Sequence, residues 1–274
     1  MTKALELAKR NSEGLEQYYT NPSIAEMCVG IAKKHIDGHQ IIEPSAGTGE
    51  FLKALDKVGL SATGYDIDPK SQEIIKKDFF ETDWDNGHYF VIGNPPFGRN
   101  HSLSVRFFNH SATFADYIAF IIPKSWRKWS IQNRLDLNFH LVEDVELPKN
   151  IFHNENKEEF GSNFNAVFQV WKRSEVKREK VKVSPRDDIV KCSPKEANIA
   201  LTYAGYSAGK VELEFDRIPN TTKIYLKVSD EVKNELIKMD YTNFTENCAY
   251  TPVFGLSEII QELNYVLATQ KQDD

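Results

Sequence analysis

Short apolar runs alternate, over roughly the first 175 residues, with stretches whose apolar positions recur at helical spacing. HQIIEPSAG reads as a short strand closed by a Pro/Ser/Gly turn, and GEFLKALDKVG has helical spacing at Phe51, Leu52 and Leu55. SATGYDIDP predicts a second strand, and SQEIIKKDFF a helix leading into a third strand edge. HYFVIG predicts a fourth strand, FFNHSATFA a helix, and DYIAFIIP a fifth strand. Strands alternating with short helices imply βαβ units and a parallel sheet covered on both faces, which is the doubly wound α/β class. Farther on, FHLVEDVELP and NAVFQVWKR predict two closing strands, the last in an antiparallel hairpin at the sheet edge.

After Lys172 the texture changes. WKRSEVKREKVKVSPRDD is dense in charge and poor in large apolar residues; it reads as a solvated strand or linker, with a nucleic-acid contact as the alternative. The expected organisation is an α/β domain over residues 1–175 and a small α+β region over 176–274. That second region offers two strands, KVELEFDRI and KIYLKVS, and two helices, DEVKNELIKM and LSEIIQELNYVLA.

Composition narrows the class without choosing a function. At 274 residues and 41% hydrophobic, the chain can bury a core of its own. No run approaches the ~18 apolar residues of a membrane span, and MTKALELAKRNSEG is too charged for a signal-peptide core. Cys28, Cys192 and Cys248 are odd in number and far apart, so neither a disulfide framework nor a CxxC metal site is expected, and the compartment reads as reducing and intracellular. A net charge of −6 argues against a protein that coats polyanions, although a local basic face can still bind one.

The glycines bring in chemistry. EPSAGTGEF sets Gly47 and Gly49 between the first strand and the first helix, where missing side chains let a ligand approach the backbone. A nicotinamide site wants G-x-G-x-x-G, but Leu52 takes the third glycine position and Glu43 sits at the strand's end. A carboxylate there repels a pyrophosphate and attracts an ammonium, such as the one on S-adenosylmethionine. Asp66, 17 residues after Gly49, lies near the spacing at which an acid takes ribose hydroxyls. Ile67 would offer an apolar face to adenine, Asp78 an acceptor for its amino group and Phe79 a wall. Taken singly, Asp66 and Asp78 read equally well as strand-end or capping carboxylates.

IGNPPFG then ends the fourth strand with two prolines, which remove two donors and stiffen the turn after Asn94. With YYTNPSIAEMCV, EPSAGTGEF, YDIDP and DFF, this NPPF run makes residues 18–172 resemble the Rossmann-like class I methyltransferases that act on adenine N6, in the γ-type motif order of DNA adenine methylases. The family pattern [D/N/S]-P-P-[Y/F/W] is matched without departure, whereas TNP at 20–22 departs from the usual T-P. The resemblance implies a mainly parallel seven-stranded sheet with an antiparallel edge strand. It places Tyr19, Thr20, Glu43, Pro44, Ala46, Gly47, Gly49, Asp66, Ile67, Asp78 and Phe79 around S-adenosylmethionine, with S-adenosylhomocysteine as product and no metal. Asn94, Pro95, Pro96 and Phe97 would form the catalytic corner. The Asn94 side-chain oxygen and the Pro95 carbonyl would draw on the hydrogens of the adenine amino group, while Phe97 stacks on a base taken out of its helix.

The implied substrate is DNA, with RNA as the alternative. A protein glutamine amide, or a catalytically silent nucleic-acid-binding subunit, are further readings. IPKSWRKWS gathers Lys124, Trp126, Arg127, Lys128 and Trp129 at the end of the fifth strand, where they could meet a phosphate backbone or simply pack. Arg99 and His101 in FGRNHS form a candidate mobile lip over the pocket. His35 and His39 have i,i+4 spacing but no third ligand nearby.

Overall fold

The computed structural model describes residues 18–85, 87–153, 159–160 and 163–273. In chain order the first part of the molecule contains β1 (Tyr19–Thr20), α1 (Pro22–Ala32), β2 (Gln40–Glu43), α2 (Glu50–Asp56), β3 (Ala62–Asp66), β4 (Ile75–Lys76) and β5 (Tyr89–Gly93). There follow α3 (Ser102–Ser111), β6 (Tyr117–Pro123), α4 (Trp129–Gln132), β7 (Phe139–Glu146), β8 (Phe152–His153), β9 (Glu159–Phe160) and β10 (Ala166–Arg173). One seven-stranded sheet runs β4-β3-β2-β5-β6-β10-β7. The first five of these strands are mutually parallel, whereas β10 pairs antiparallel with both β6 and β7.

The doubly wound expectation holds. Residues of β5 and β6 are buried almost without interruption because the parallel centre of the sheet is covered on both faces. Strand order reverses between β2 and β5, so a crevice opens outside their carboxyl ends, the place where open α/β sheets bind ligands. On one face the core is aromatic: Phe79, Phe107, Phe108, Phe120, Trp126, Phe139 and Trp171 are all buried there.

One expected element differs, while the closing antiparallel hairpin falls at the sheet edge as expected. SQEIIKKDFF forms no helix; Ile75–Lys76 extends the sheet beside β3, and Phe79–Glu81 makes a single 3₁₀ turn. The Asp78 carboxylate accepts the Phe80 N–H at 3.0 Å, capping that turn, and so competes with the helix the spacing suggested. Within the closing hairpin, β10 sits between β6 and β7, and its residues 166–171 are buried on both faces, leaving β7 outermost. Gln169, wholly buried in β10, accepts from Trp171 Nε1 at 3.1 Å and donates to Asp144 Oδ2 at 3.1 Å.

The chain divides into two compact units at Lys180/Val181, beyond the boundary expected after residue 175. The charged segment explains the offset. Ser174 N–H donates to Asn138 O at 2.7 Å and Arg178 N–H to Leu137 O at 2.8 Å. The Arg178 guanidinium donates to the carbonyls of Phe139, Gln132 and Asp136 and lies 5.2 Å from the Trp171 ring centroid. The segment is thus bolted to the first unit as far as Arg178.

The second unit contains β11 (Ile189–Lys191), β12 (Ile199–Thr202), β13 (Val211–Glu212), β14 (Lys223–Val228), α5 (Asp230–Lys238), α6 (Thr242–Glu246) and α7 (Leu256–Asp273). Its antiparallel sheet runs β11-β14-β12-β13, and Ile199, Leu201, Ile224 and Leu226 pack with Val232, Leu236, Ile259 and Leu263 from the helices. KVELEFDRI contributes only the two residues of β13, while β11, β12 and α6 carry no expectation from the sequence pattern. No helix among the described residues is long and apolar enough to cross a membrane.

Arg178→Ala is expected to destabilise the first unit by about 2 kcal/mol, because a charged donor serves three backbone carbonyls. Equilibrium urea unfolding measures this; a change below about 0.5 kcal/mol, the size expected of a surface substitution, would return residues 174–178 to a solvated linker.

Candidate active site

The site grows out of the carboxyl ends of β2, β3 and β5. β2 closes on Glu43, and residues 44–49 turn back into α2, with Gly47 at φ 50° and Gly49 at φ 79°. That left-handed backbone favours glycine, and at Gly47 space is also tight: a Cβ would stand 3.0 Å from the ring of Tyr19, which would have to shift slightly. Asp66, the last residue of β3, accepts the Gly47 N–H at 2.7 Å through Oδ2 and the Asp68 N–H at 2.8 Å through Oδ1. Its carboxylate therefore fastens the glycine turn to the neighbouring strand. Ile67 follows, 38% exposed at the strand's end.

Glu43 is 3% exposed. Burial pushes its carboxyl well above the usual carboxylate range, and the nearby Asp66 charge pushes in the same direction. One oxygen, Oε2, is enclosed without a hydrogen-bond partner. Such an acceptor is costly unless something fills it.

Asn94 stands across the same cavity, which Tyr18, Thr20, Glu43, Ser45 and Gly47 also line. Its Nδ2 donates to the Tyr18 carbonyl at 3.2 Å, and its own carbonyl accepts from Ser45 Oγ at 3.3 Å. With the amide nitrogen committed to Tyr18, Oδ1 is left as an enclosed acceptor lacking a donor. Two orphaned acceptors thus share one small cavity beside a glycine turn. Pro95 is buried and Pro96 half-buried. Phe97 is half-buried, its ring stacked on Phe164 at 5.4 Å and 17° and tilted against Phe152 at 6.3 Å.

Tyr19 and Thr20 are buried in β1, which pairs with β8 in the register Tyr19↔His153 and Thr20↔Phe152. The extra residue in TNP has a structural use: Asn21 donates its backbone N–H to Ile151 O at 2.9 Å and its Nδ2 to Asn150 O at 2.5 Å. Pro22 then occupies the first turn of α1, where a missing N–H costs nothing. Pro44 and Ala46 lie in the glycine turn, with Ala46 N–H donating to Tyr65 O at 2.9 Å.

Several expected residues are placed elsewhere. Phe79 is 2% exposed and stacks on Phe107 at 5.6 Å and 1°, so it is core rather than a cavity wall; Phe80 is the ring nearer the surface, with the Arg106 guanidinium 3.9 Å from its centroid. Trp126 is fully buried against Phe108 and presents nothing to a polyanion. Lys124 pairs with Glu146 at 2.9 Å, and Arg127 pairs with Asp144 at 2.8 Å and Glu146 at 2.6 Å, so both cations are turned onto β7. Lys128 is half-buried, while Arg99 is exposed beside the corner. Among the described residues no group of three His, Cys, Asp or Glu could hold a metal ion, and His35 pairs with Glu143 at 2.9 Å. Sequence reasoning missed Tyr18 and Ser45. The first acts through its backbone carbonyl, which no residue type encodes.

No family model matches the chain. Over 94 residues it is 35% identical to the type II methyltransferase M.HincII of Haemophilus influenzae, covering 33% of this chain and 18% of that protein. Over 68 residues it is 40% identical to the type II methyltransferase M.CvrRI of Paramecium bursaria Chlorella virus XZ-6E, covering 21% of this chain and 18% of that one. The match spans 18% of the length of these curated relatives. Among solved structures, a Listeria monocytogenes protein described as a class I S-adenosylmethionine-dependent methyltransferase superposes with TM-score 0.45 and 17% identity, covering 65% of this chain and 68% of that one. The magnesium protoporphyrin IX methyltransferase of Synechocystis PCC 6803, with bound SAM, gives TM-score 0.40 and 12% identity over 63% and 92% of the two chains. The first unit has a Rossmann-like, mainly parallel seven-stranded sheet.

Glu43→Gln is expected to stabilise the protein at neutral pH. A carboxyl whose pKa is raised by folding contributes fully below its ordinary value of about 4.3 and loses that contribution as pH rises toward the raised one. The Tm of Glu43→Gln should therefore exceed that of the parent by a few degrees at pH 7, with the gap closing toward pH 4. Calorimetry across that range checks it; a parent more stable than the variant at pH 7 would mean that Glu43 is satisfied in the fold.

Proposed function

We propose that the chain transfers a methyl group from S-adenosylmethionine to the exocyclic N6 of adenine in DNA, with the base held unpaired or flipped. The observation that carries the reading is the pair of enclosed, unpartnered acceptors, Glu43 Oε2 and Asn94 Oδ1, in one cavity beside the Gly47–Gly49 turn. The residues present fit the cofactor. A cationic ammonium would supply the donor that Glu43 lacks and relieve its desolvation. Asp66 uses each oxygen once on backbone N–H groups, which leaves lone pairs for ribose hydroxyls. Ile67, exposed at the end of β3, offers an apolar surface to adenine.

The cofactor brings a methyl already activated by a positive sulfur. The chain's own task is to make an amino nitrogen nucleophilic. That nitrogen's lone pair is delocalised into the base, and acceptors on its two hydrogens favour a pyramidal geometry that frees it. Asn94 Oδ1 and the Pro95 carbonyl take those roles, and two prolines hold them without reorganisation. The Tyr18 carbonyl fixes which way the Asn94 amide points, so that oxygen and not nitrogen meets the substrate. Phe97, backed by Phe164, supplies a stacking surface for the base.

DNA is proposed because the order of motifs resembles the DNA adenine methylases, and the similarity to type II methyltransferases accords with it. The second unit, from Val181, is proposed to take part in target recognition.

Labelled cofactor incubated in parallel with duplex DNA, single-stranded DNA, RNA and protein extract should place label in DNA, on adenine N6. Label confined to RNA or to protein glutamine would replace the substrate, and cofactor binding with no label anywhere would make the chain a silent subunit. Asn94→Ala should lower kcat by about 10²–10³-fold with the cofactor Kd unchanged. Asp66→Ala should instead weaken the cofactor; equal loss of binding and turnover in both variants would demote these residues to scaffolding.

A further inference from the structure

The loop after the Asn94–Phe97 corner is held in a conformation most side chains avoid. Gly98, Asn100 and His101 have φ of 67°, 51° and 61°, and a Cβ on Gly98 would lie 2.8 Å from Leu103 Cγ. Such backbone persists only where its surroundings over-determine it, and it collects at functional sites. Here the surroundings act at three points. The Phe97 carbonyl accepts the N–H groups of Leu103 at 3.2 Å and Ser104 at 3.3 Å, so the strap starts and ends on one atom. Arg134 Nη1 donates to Asn100 O at 2.8 Å, while the Arg134 carbonyl accepts from Asn109 Nδ2 at 2.8 Å. His101 Nε2 and Ser125 Oγ share a hydrogen bond of 3.0 Å. Ser125 is itself buried at the end of β6, in the 3₁₀ turn that Lys124 and Arg127 fasten to β7.

We propose that His101 is a positioning residue: bonded to Ser125, its imidazole pins the strained strap and so fixes the Phe97 carbonyl and the corner that begins at Asn94. The inference rests on reading that corner as the amino-group site. Burial, followed by the nearby Arg134 charge, pushes His101 down to about 4, so the pin is a neutral ring near pH 7. The sequence marks FGRNHS only as a candidate lip; the part His101 plays comes from where β5 and β6 end.

His101→Gly removes the pin while relieving the left-handed strain, His101→Asn keeps a side chain tolerant of that backbone, and Ser125→Ala removes the partner. In His101→Gly, Tm should stay within about 2 °C of the parent and the cofactor Kd should not change. Its kcat on the polymer that the parent methylates should fall about 10–100-fold, the scale of a slightly misplaced reacting group. Ser125→Ala should reproduce the loss, the double variant should add nothing to either single one, and His101→Asn should recover part of the rate. The Leu103 and Ser104 amides should exchange with solvent faster in His101→Gly and Ser125→Ala than in the parent. An unchanged kcat, a loss that follows Tm, or additive losses would overturn the proposal. Amide exchange separates the two failures: if the parent methylates no polymer, faster exchange still upholds the pin, whereas unchanged protection overturns it.

Discussion

A carboxylate shut away from water at the end of the central parallel strand, with one oxygen lacking a donor, is the constraint around which the first unit is arranged. Glu43 reaches that place because β2 lies in the middle of a sheet covered on both faces, so its final residue is almost wholly buried and faces only the cavity. The neighbouring parts pack around it. Gly93, at the end of β5, lies beside it, and a Cβ there would meet Glu43 Cγ at 3.4 Å, an ordinary packing contact. The glycine turn folds over it and is fastened from the far side by Asp66. Two carboxylates so close to each other raise the energy of an empty cavity and lower that of one holding a cation, which is how a binding site differs from a well-packed core.

Much of this was readable in the residue order because it is local. Strand, glycine turn and helix follow one another in EPSAGTGEF, and the NPPF corner ends a buried strand; both signals lie within a few residues of their structural effect. What escaped depends on distant chain. Phe79 was expected at the cavity and lies in the core because Phe107 and Trp84, from other elements, enclose it. Trp126 takes the packing alternative that the sequence left open. The helix expected over SQEIIKKDFF gave way to pairing with β3, a tertiary gain that spacing alone does not report. Tyr18 was invisible for a different reason, since its contribution is a carbonyl that any residue could supply.

The rim of the site owes its rigidity to charges that face inward. Arg127 holds Asp144, Asp144 accepts from the buried Gln169, and Gln169 accepts from Trp171, so a line of hydrogen bonds runs from the segment after β6 into the sheet. Cations spent in this way serve the scaffold. Arg99, by contrast, stays exposed beside the corner.

The outermost strand carries a consequence for solubility. β7 is eight residues long and, among the described residues, pairs with a strand on one side only, the kind of border that can recruit a strand from another chain. Glu143 is held by Lys34 and His35, and Asp144 and Glu146 are held by Arg127 and Lys124, so ion pairs flank this border on both faces of the sheet. A stranger docking there would have to strip water from those pairs before gaining a single backbone bond. The same carboxylates that stiffen the rim of the pocket therefore discourage fibrous self-association along the free margin.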